Sequence, residues 1–177
     1  MFTRPKKYSN STHFYNTFQN RTMSVLGNAV AQFAENNLAG QVGNGECWTL
    51  GERALQSAGA RTSTEIMGRI GPNDNYVWGD VVAMTGLEVG DMIQFRNYTY
   101  RFNRADGSWN EEARPHHTAI VAAVISPGVV DVFECNVGGS RNVQRNRIYL
   151  QTGAVTGGSV TVSGQMWYYR PQPRQTT

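Results

Sequence analysis

The residues best suited to chemistry lie in the segment Gly40-Gln41-Val42-Gly43-Asn44-Gly45-Glu46-Cys47-Trp48-Thr49-Leu50. A glycine-rich loop runs into a cysteine, and a good helix-forming stretch follows, so the thiol falls in the first turn of a helix. The free N–H groups and the positive dipole end there favour an anion and lower a thiol pKa. The thiolate is the nucleophilic form, so this is a useful place for a reactive cysteine. Gln41, six residues upstream, can offer its side-chain amide to an oxyanion, alongside the backbone N–H of Cys47. The competing reading is a structural cysteine in a core helix; the flanking glycines and the glutamine favour a reactive one.

A thiolate needs a base beside it, and the base needs an orienting partner. Histidines are scarce: His13 near the start, then the neighbours His116 and His117. Successive side chains of a strand point to opposite faces, so one of the pair can face Cys47. His117, Ala119 and Val121 share a face, and His116, Thr118 and Ile120 share the other. The returning strand reads Val-Asp-Val-Phe-Glu-Cys-Asn over residues 130–136. Glu134 and Asn136 fall on one face of it, and either can accept from an imidazole and fix its tautomer. No cofactor is called for. Two adjacent histidines and Cys135 lack a recognisable zinc spacing, so no metal is expected.

These residues need elements to position them. Apolar residues at Leu26, Val30, Phe33, Ala34 and Leu38 predict one helical face over 24–38, with Gly40 in the place of a C′ glycine. A second helix is expected over 46–58, with Leu50, Ala54 and Leu55 inward and Gly59 as its stop. A short helix is expected around 63–69. A turn at 87–91 feeds a strand at 92–95, on which 98–102 can pair back, and 109–115 reads as a polar loop. Strands follow at 117–125, 129–136, 145–150, 159–162 and 166–169, with Pro127-Gly128 as a turn. Helices first, then a run of antiparallel strands, make an α+β domain rather than an alternating α/β one.

Bulk properties narrow the function classes. The 177 residues suffice for one domain with a real core, and 40% hydrophobic against 16% charged residues argue against wholesale disorder. Two cysteines make no disulfide framework. Nothing resembles a secretory h-region or a transmembrane run, so a reducing, cytoplasmic setting is expected, with export by a signal-less route as the alternative. Arg4, Lys6, Lys7 and Arg21 supply the chain's formal charge of +3; the remainder holds 12 arginines, no lysine and 13 acids. A basic face for nucleic acid is therefore not expected. The organisation expected is a basic tail at 1–22, one domain at 23–172 and a short tail at 173–177, acting as a monomer.

With these residues in hand, the chain resembles the papain-like cysteine peptidase superfamily. Papain-type proteases have a glutamine six residues before a Cys-Trp pair at a helix start, then a histidine and an asparagine; Gln41, Cys47-Trp48, His117 and Asn136 fit that order. CHAP amidases and NlpC-type peptidases carry a Gly-Asp strand, a His-x-Ala-x-Val strand and a strand ending in Glu-x-Asn. Here these are Gly90-Asp91-Met92-Ile93, His117 to Val121 and Glu134-Cys135-Asn136. The chain is also similar to the cysteine-proteinase-fold domain of fungal actin-patch, myosin-tail-interacting proteins. Gly45 to Leu50, Trp78-Gly79, Gly90 to Phe95 and Tyr169-Arg170-Pro171 carry that likeness, over residues 23–171.

The resemblance implies N-terminal helices packed on an antiparallel sheet or half-barrel of about six strands. It implies a thiol-dependent hydrolase of amide or peptide bonds. Cys47 would be the nucleophile, His117 the base, Glu134 or Asn136 its partner, and Gln41 with the Cys47 N–H the oxyanion hole. Glu134 matches the bacterial pattern and Asn136 the papain one. The substrate implied is a peptide, a protein or a peptidoglycan-like amide. The same fold also hosts acyltransferases and catalytically silent interaction modules, which are the alternatives. The polar stretch 104–114 and the loop 138–145 are expected to flank the site.

Overall fold

The computed structural model describes residues 25–175; the basic tail expected at 1–22 lies outside them. Among the described residues, three α-helices precede the strands. Residues 25–36 form α1, Cys47–Ala58 form α2 and Ser63–Met67 form α3. The strands are β1 (Asp80–Val81), β2 (Met92–Arg104), β3 (Trp109–Ser126), β4 (Val129–Glu134), β5 (Gln144–Tyr149), β6 (Gly153–Val155) and β7 (Gly158–Arg170). They make one sheet in the order β1-β7-β2-β3-β4-β5, with β6 on β7, and every pairing is antiparallel. The expected α+β architecture is the observed one, with seven strands where about six were expected.

The alternation of β2, β3 and β4 divides the core. Met92, Ile120 and Phe133 point to one face, where they meet Val30, Ala34, Leu50, Ala54 and Leu55 of the helices. Ile93, Phe95, Ala119, Val121, Val130 and Val132 point to the other, into a cluster closed by Ile148, Leu150 and Val160. Fully burying a leucine such as Leu50 or Leu55 contributes about 2 kcal/mol. Leu50→Ala would cost about 3 kcal/mol, because a cavity adds to the lost transfer term.

Helix α2 is positioned closely because it presents a glycine to the sheet. A Cβ on Gly51 would lie 2.9 Å from the Trp78 ring and 3.0 Å from the Met92 methyl. The helix ends at Gly59, left-handed at φ 74, as its place in the sequence predicts. Helix α1 ends differently from the expectation. The left-handed residue is Ala39 at φ 62, not Gly40, and Leu38 leaves the helix to bridge Val143. That pairing ties the loop before Cys47 to the start of β5.

Three other expectations are corrected. Residues 98–102 do not fold back on 92–95; they continue β2 past an irregularity at Asn97, whose φ is 50. Residues 109–115 are not a loop but the first third of β3, and the residues expected as two strands at 159–169 form the single strand β7. A strand broken by one bulge looks in sequence like two short strands, because the alternation changes phase there. Near the C-terminus, Pro173 bridges Ala60 and Arg174 pairs with Glu65.

Candidate active site

Cys47 is the first residue of α2 and is 8% exposed. The turn before it is organised by Asn44, whose side-chain Oδ1 accepts from the Glu46 N–H at 3.1 Å and the Thr49 hydroxyl at 2.6 Å. Glu46 takes the N-cap position in extended conformation without a side-chain cap bond. Its carboxylate turns outward to the Asn136 amide at 2.8 Å and to Arg141.

His117 enters from β3, opposite Phe95 of β2. One ring nitrogen, Nε2, is 2.8 Å from Glu134 Oε2. The imidazole also lies close enough to the Cys47 sulfur to govern its ionisation. Burial pushes the thiol up. His117, through hydrogen bonding and charge, and the N–H groups of Thr118 and Trp48 outweigh this and hold it below the ordinary value. The reciprocal effect works on the imidazole. Burial pulls it down, but Cys47 and Glu134 raise it to about 9. Each partner thus favours the charged form of the other. Thr118 is held from behind by a bond from its hydroxyl to Gln94 at 2.8 Å, and Gln94 also accepts from the Trp78 indole at 3.2 Å.

Glu134, the last residue of β4, is 0% exposed. Its Oε2 accepts from His117 at 2.8 Å and Arg114 Nε at 2.9 Å; its Oε1 accepts from Arg114 at 2.6 Å and Asn146 at 2.9 Å. These donors fill the carboxylate's capacity. Burial opposes the charge, yet His117 and Arg114 hold the carboxyl down at about 2.

Cys47, His117 and Glu134 are thus brought together. Asn136 is not a partner of His117. The strand ends at Glu134, and Asn136 turns left-handed at φ 59, which cancels the shared face that strand alternation predicted. It binds Glu46 instead and borders the cavity at Cys47. Gln41 is exposed, and its amide donates to the Gly43 carbonyl at 3.0 Å. His116 sits in the wall between two cavities, with Nε2–H donating to the Asp74 carbonyl at 2.8 Å and its ring 5.0 Å from that of Tyr76.

Those cavities flank the dyad. One of about 390 Å³ opens at Cys47 and is lined by Asn44, Trp48, Ile70, Pro72 and Tyr76 among others. The second, of about 710 Å³, lies beyond His117 and is lined by polar groups including Glu112, Gln144 and Asn146. His116 and Asn136 border both, so the two cavities adjoin beside the dyad. Of the expected flanking segments, the loop at 138–145 contributes Gly138 and Gln144, and the stretch 104–114 contributes Glu112 and Arg114 from a strand.

Arg114, Asn146 and Asn44 escaped sequence reading. Asn146 and Asn44 are ordinary polar residues with no local signal. Arg114 was hidden because its segment reads as a loop. Pro115, which cannot donate to a ladder, faces Asn97 in the middle of β2 and β3, and there the alternation resets. Arg114 and His117 consequently both reach Glu134, although simple parity puts them on opposite faces. Among the described residues no group of three or more His, Cys, Asp or Glu side chains is placed to hold a metal ion. No helix among them is long and apolar enough to cross a membrane.

Comparisons with known proteins fit this picture. Over 158 residues, 84% of its own length, the chain is 27% identical to Altered inheritance of mitochondria protein 3 of Debaryomyces hansenii. It spans 16% of that relative's length. No solved structure matches it. Residues 20–177 match the family described as AIM3/BBC1 Cysteine proteinase-fold domain, and the chain belongs to that family.

Proposed function

We propose that this domain is a thiol-dependent hydrolase of amide or peptide bonds. The observation that supports it is the placement of His117 between Cys47, whose ionisation it favours, and the buried Glu134 at 2.8 Å, with Cys47 bordering an open cavity. In this reading the Cys47 thiolate attacks the scissile carbonyl carbon. The oxyanion forms beside the first turn of α2, where the Cys47 N–H and the Gln41 or Asn44 amide donate to it. His117 gives its proton to the leaving amine, and the acyl group remains on sulfur as a thioester. His117 then takes a proton from water, the resulting hydroxide attacks the thioester, and the acid product leaves. Glu134 orients the ring throughout. Both cysteines are free, so the proposed working environment is a reducing one.

The substrate proposed is a peptide or protein. Neither the family description nor the relative points to a peptidoglycan-like amide. The test is incubation with a fluorogenic peptide library, followed by mass spectrometry of the protein. A thioester adduct on Cys47 that vanishes in Cys47→Ala is the expected result; turnover undiminished in that variant sinks the mechanism.

A second reading has the comparisons on its side: a catalytically silent module that binds protein through the same cleft. The family is described by its fold rather than by a reaction, and the domain is a small part of the relative that carries it. Alkylation separates the two. A working nucleophile reacts with iodoacetamide rapidly at about pH 6 to 7, whereas a silent module need not keep Cys47 ionised. An acyltransferase would form the same thioester and release it to an amine or alcohol faster than to water.

A further inference from the structure

Three charged groups lined up in a protein interior do not balance. A thiolate at Cys47, an imidazolium at His117 and a carboxylate at Glu134 leave one net negative charge under cover. The structure supplies the missing cation. Arg114 is as buried as His117, and its planar fork grips both oxygens of Glu134 at 2.9 and 2.6 Å. The remainder of the guanidinium is engaged within the fold, with the Ala113 carbonyl at 3.0 Å and Glu112 at 3.1 Å.

Resting on the reading of Cys47 as an ionised nucleophile, we propose that Arg114 is a positioning residue that sets the ionisation of the Cys47–His117 pair through Glu134. The argument is electrostatic. Glu134 alone would hold His117 as imidazolium but would also oppose a second negative charge on the nearby sulfur. Arg114 cancels that opposition while its fork fixes the carboxylate plane, and so the ring. The site becomes two ion pairs in series with no net charge. A neutral amide in the orienting position would give the same balance with no cation; this chain reaches it with a carboxylate and a guanidinium.

The other groups around the pair are accounted for. From the loop before α2, Glu46 turns its carboxylate outward and is paired with Arg141. Tyr76 and His116 line the cavity, with Asp74 behind them, and His116 is held below its ordinary value, mainly by burial. Cys135 follows β4 and is pushed up to about 12 by burial and then by the Cys47 and Glu134 charges, so it carries none. Around Arg114, Tyr98 and Tyr100 of β2 are raised by burial and stay neutral. Glu112, on the strand of Arg114 itself, is half exposed and screened.

The test is the pH profile of Cys47 alkylation by iodoacetamide, read at the Cys47 peptide by mass spectrometry, with folding followed by circular dichroism. Removing the cation makes the site more negative, which raises both proton-release steps of the dyad. Arg114→Met should move the alkylation midpoint up by about one pH unit. At a pH well below the wild-type midpoint the rate should then fall about tenfold. Arg114→Lys keeps the charge and should leave the midpoint within about 0.3 of wild type. The double variant Arg114→Met with Glu134→Gln removes both charges together and should bring the midpoint back toward wild type. A folded Arg114→Met with an unmoved midpoint overturns the proposal, as does a double variant displaced as far as Arg114→Met alone. If Arg114→Met does not fold, the folded double variant and Arg114→Lys decide in the same way, and a one-unit rise in either overturns it. A wild-type midpoint at the ordinary thiol value is a different failure. It refutes the ionised nucleophile itself, before Arg114 enters.

Discussion

The two cysteines of this domain sit in one neighbourhood and are driven in opposite directions. Both are free and both are buried, Cys47 at 8% and Cys135 at 0% exposure. Burial raises both thiols. At Cys47 an imidazole and two backbone N–H groups reverse the effect. At Cys135 burial is reinforced by the negative charges of Cys47 and Glu134, which take it to about 12. The difference is one of placement. Cys47 starts a helix, where N–H groups point at it, and it opens into a cavity. Cys135 packs with Phe133, Val143 and the helical core, where it behaves as a small hydrophobe. Burial alone therefore says nothing about reactivity; the donors around the sulfur decide it.

The strongest test of that contrast is substitution of each sulfur in turn. Cys47→Ala should lower peptide turnover by more than about a thousandfold, because the nucleophile is gone and only binding and the oxyanion donors remain. Cys135→Ala should leave turnover within about twofold and cost about 1 kcal/mol of stability through a small cavity, read by chemical denaturation. Equal losses from the two substitutions would show that the contrast in environment has no functional meaning.

Next in size is the carboxylate that joins the two cysteines' surroundings. Glu134→Ala leaves Arg114 buried without its partner and should cost about 3 to 5 kcal/mol, measured by urea unfolding. Glu134→Gln keeps an acceptor and should cost less. Similar losses in the two variants would mean that the charge, absent from both, is all that Glu134 contributes, and the retained acceptor nothing.

The same group imposes a pH dependence whose sign is fixed. Its folded value, about 2, lies below its ordinary value of 4.5. A group depressed in the folded state stabilises above its unfolded pKa, and that contribution is lost as pH falls from about 4.5 toward 2. The loss should reach about 3 kcal/mol at the acid end. His117 has the opposite sense, since it is raised to about 9, so its contribution fades as pH climbs from about 6.5 through 9. Turnover should accordingly follow a bell whose alkaline limb lies near 9. A flat stability curve between pH 5 and 3 would contradict the ion pairing described for Glu134.

Much of this was legible in the chain. The helix start at Cys47, the stop at Gly59 and the strands carrying His117 and Glu134 follow from local rules of capping and alternation. What was hidden depended on breaks in those rules. Asn136 leaves the face it should share with Glu134 because the strand ends and the backbone turns left-handed. Arg114 joins His117 at Glu134 because Pro115 and Asn97 reset the alternation between them. A single residue in an unusual conformation moves a side chain to another face, and period-2 reasoning has no access to it. The expected Cys-His-acid order could be read from residue types, but the choice between acid and amide could not.

The helix start offers the finest discrimination, between two amides that can hold an oxyanion. In the resting structure the Gln41 amide donates to the Gly43 carbonyl at 3.0 Å. Asn44 lines the cavity, with its side-chain Oδ1 occupied by Glu46 and Thr49. For Gln41 to serve, it must leave a neutral hydrogen bond of about 1 kcal/mol. An oxyanion donor contributes about 3 kcal/mol to the transition state, so a net of about 2 kcal/mol remains. Gln41→Ala should therefore reduce kcat by about thirtyfold with little change in KM, a smaller effect than for a donor already in place. A loss below about threefold would transfer the role to Asn44. Asn44→Ala would then show the larger fall in kcat, since Asn44 already lines the cavity at Cys47.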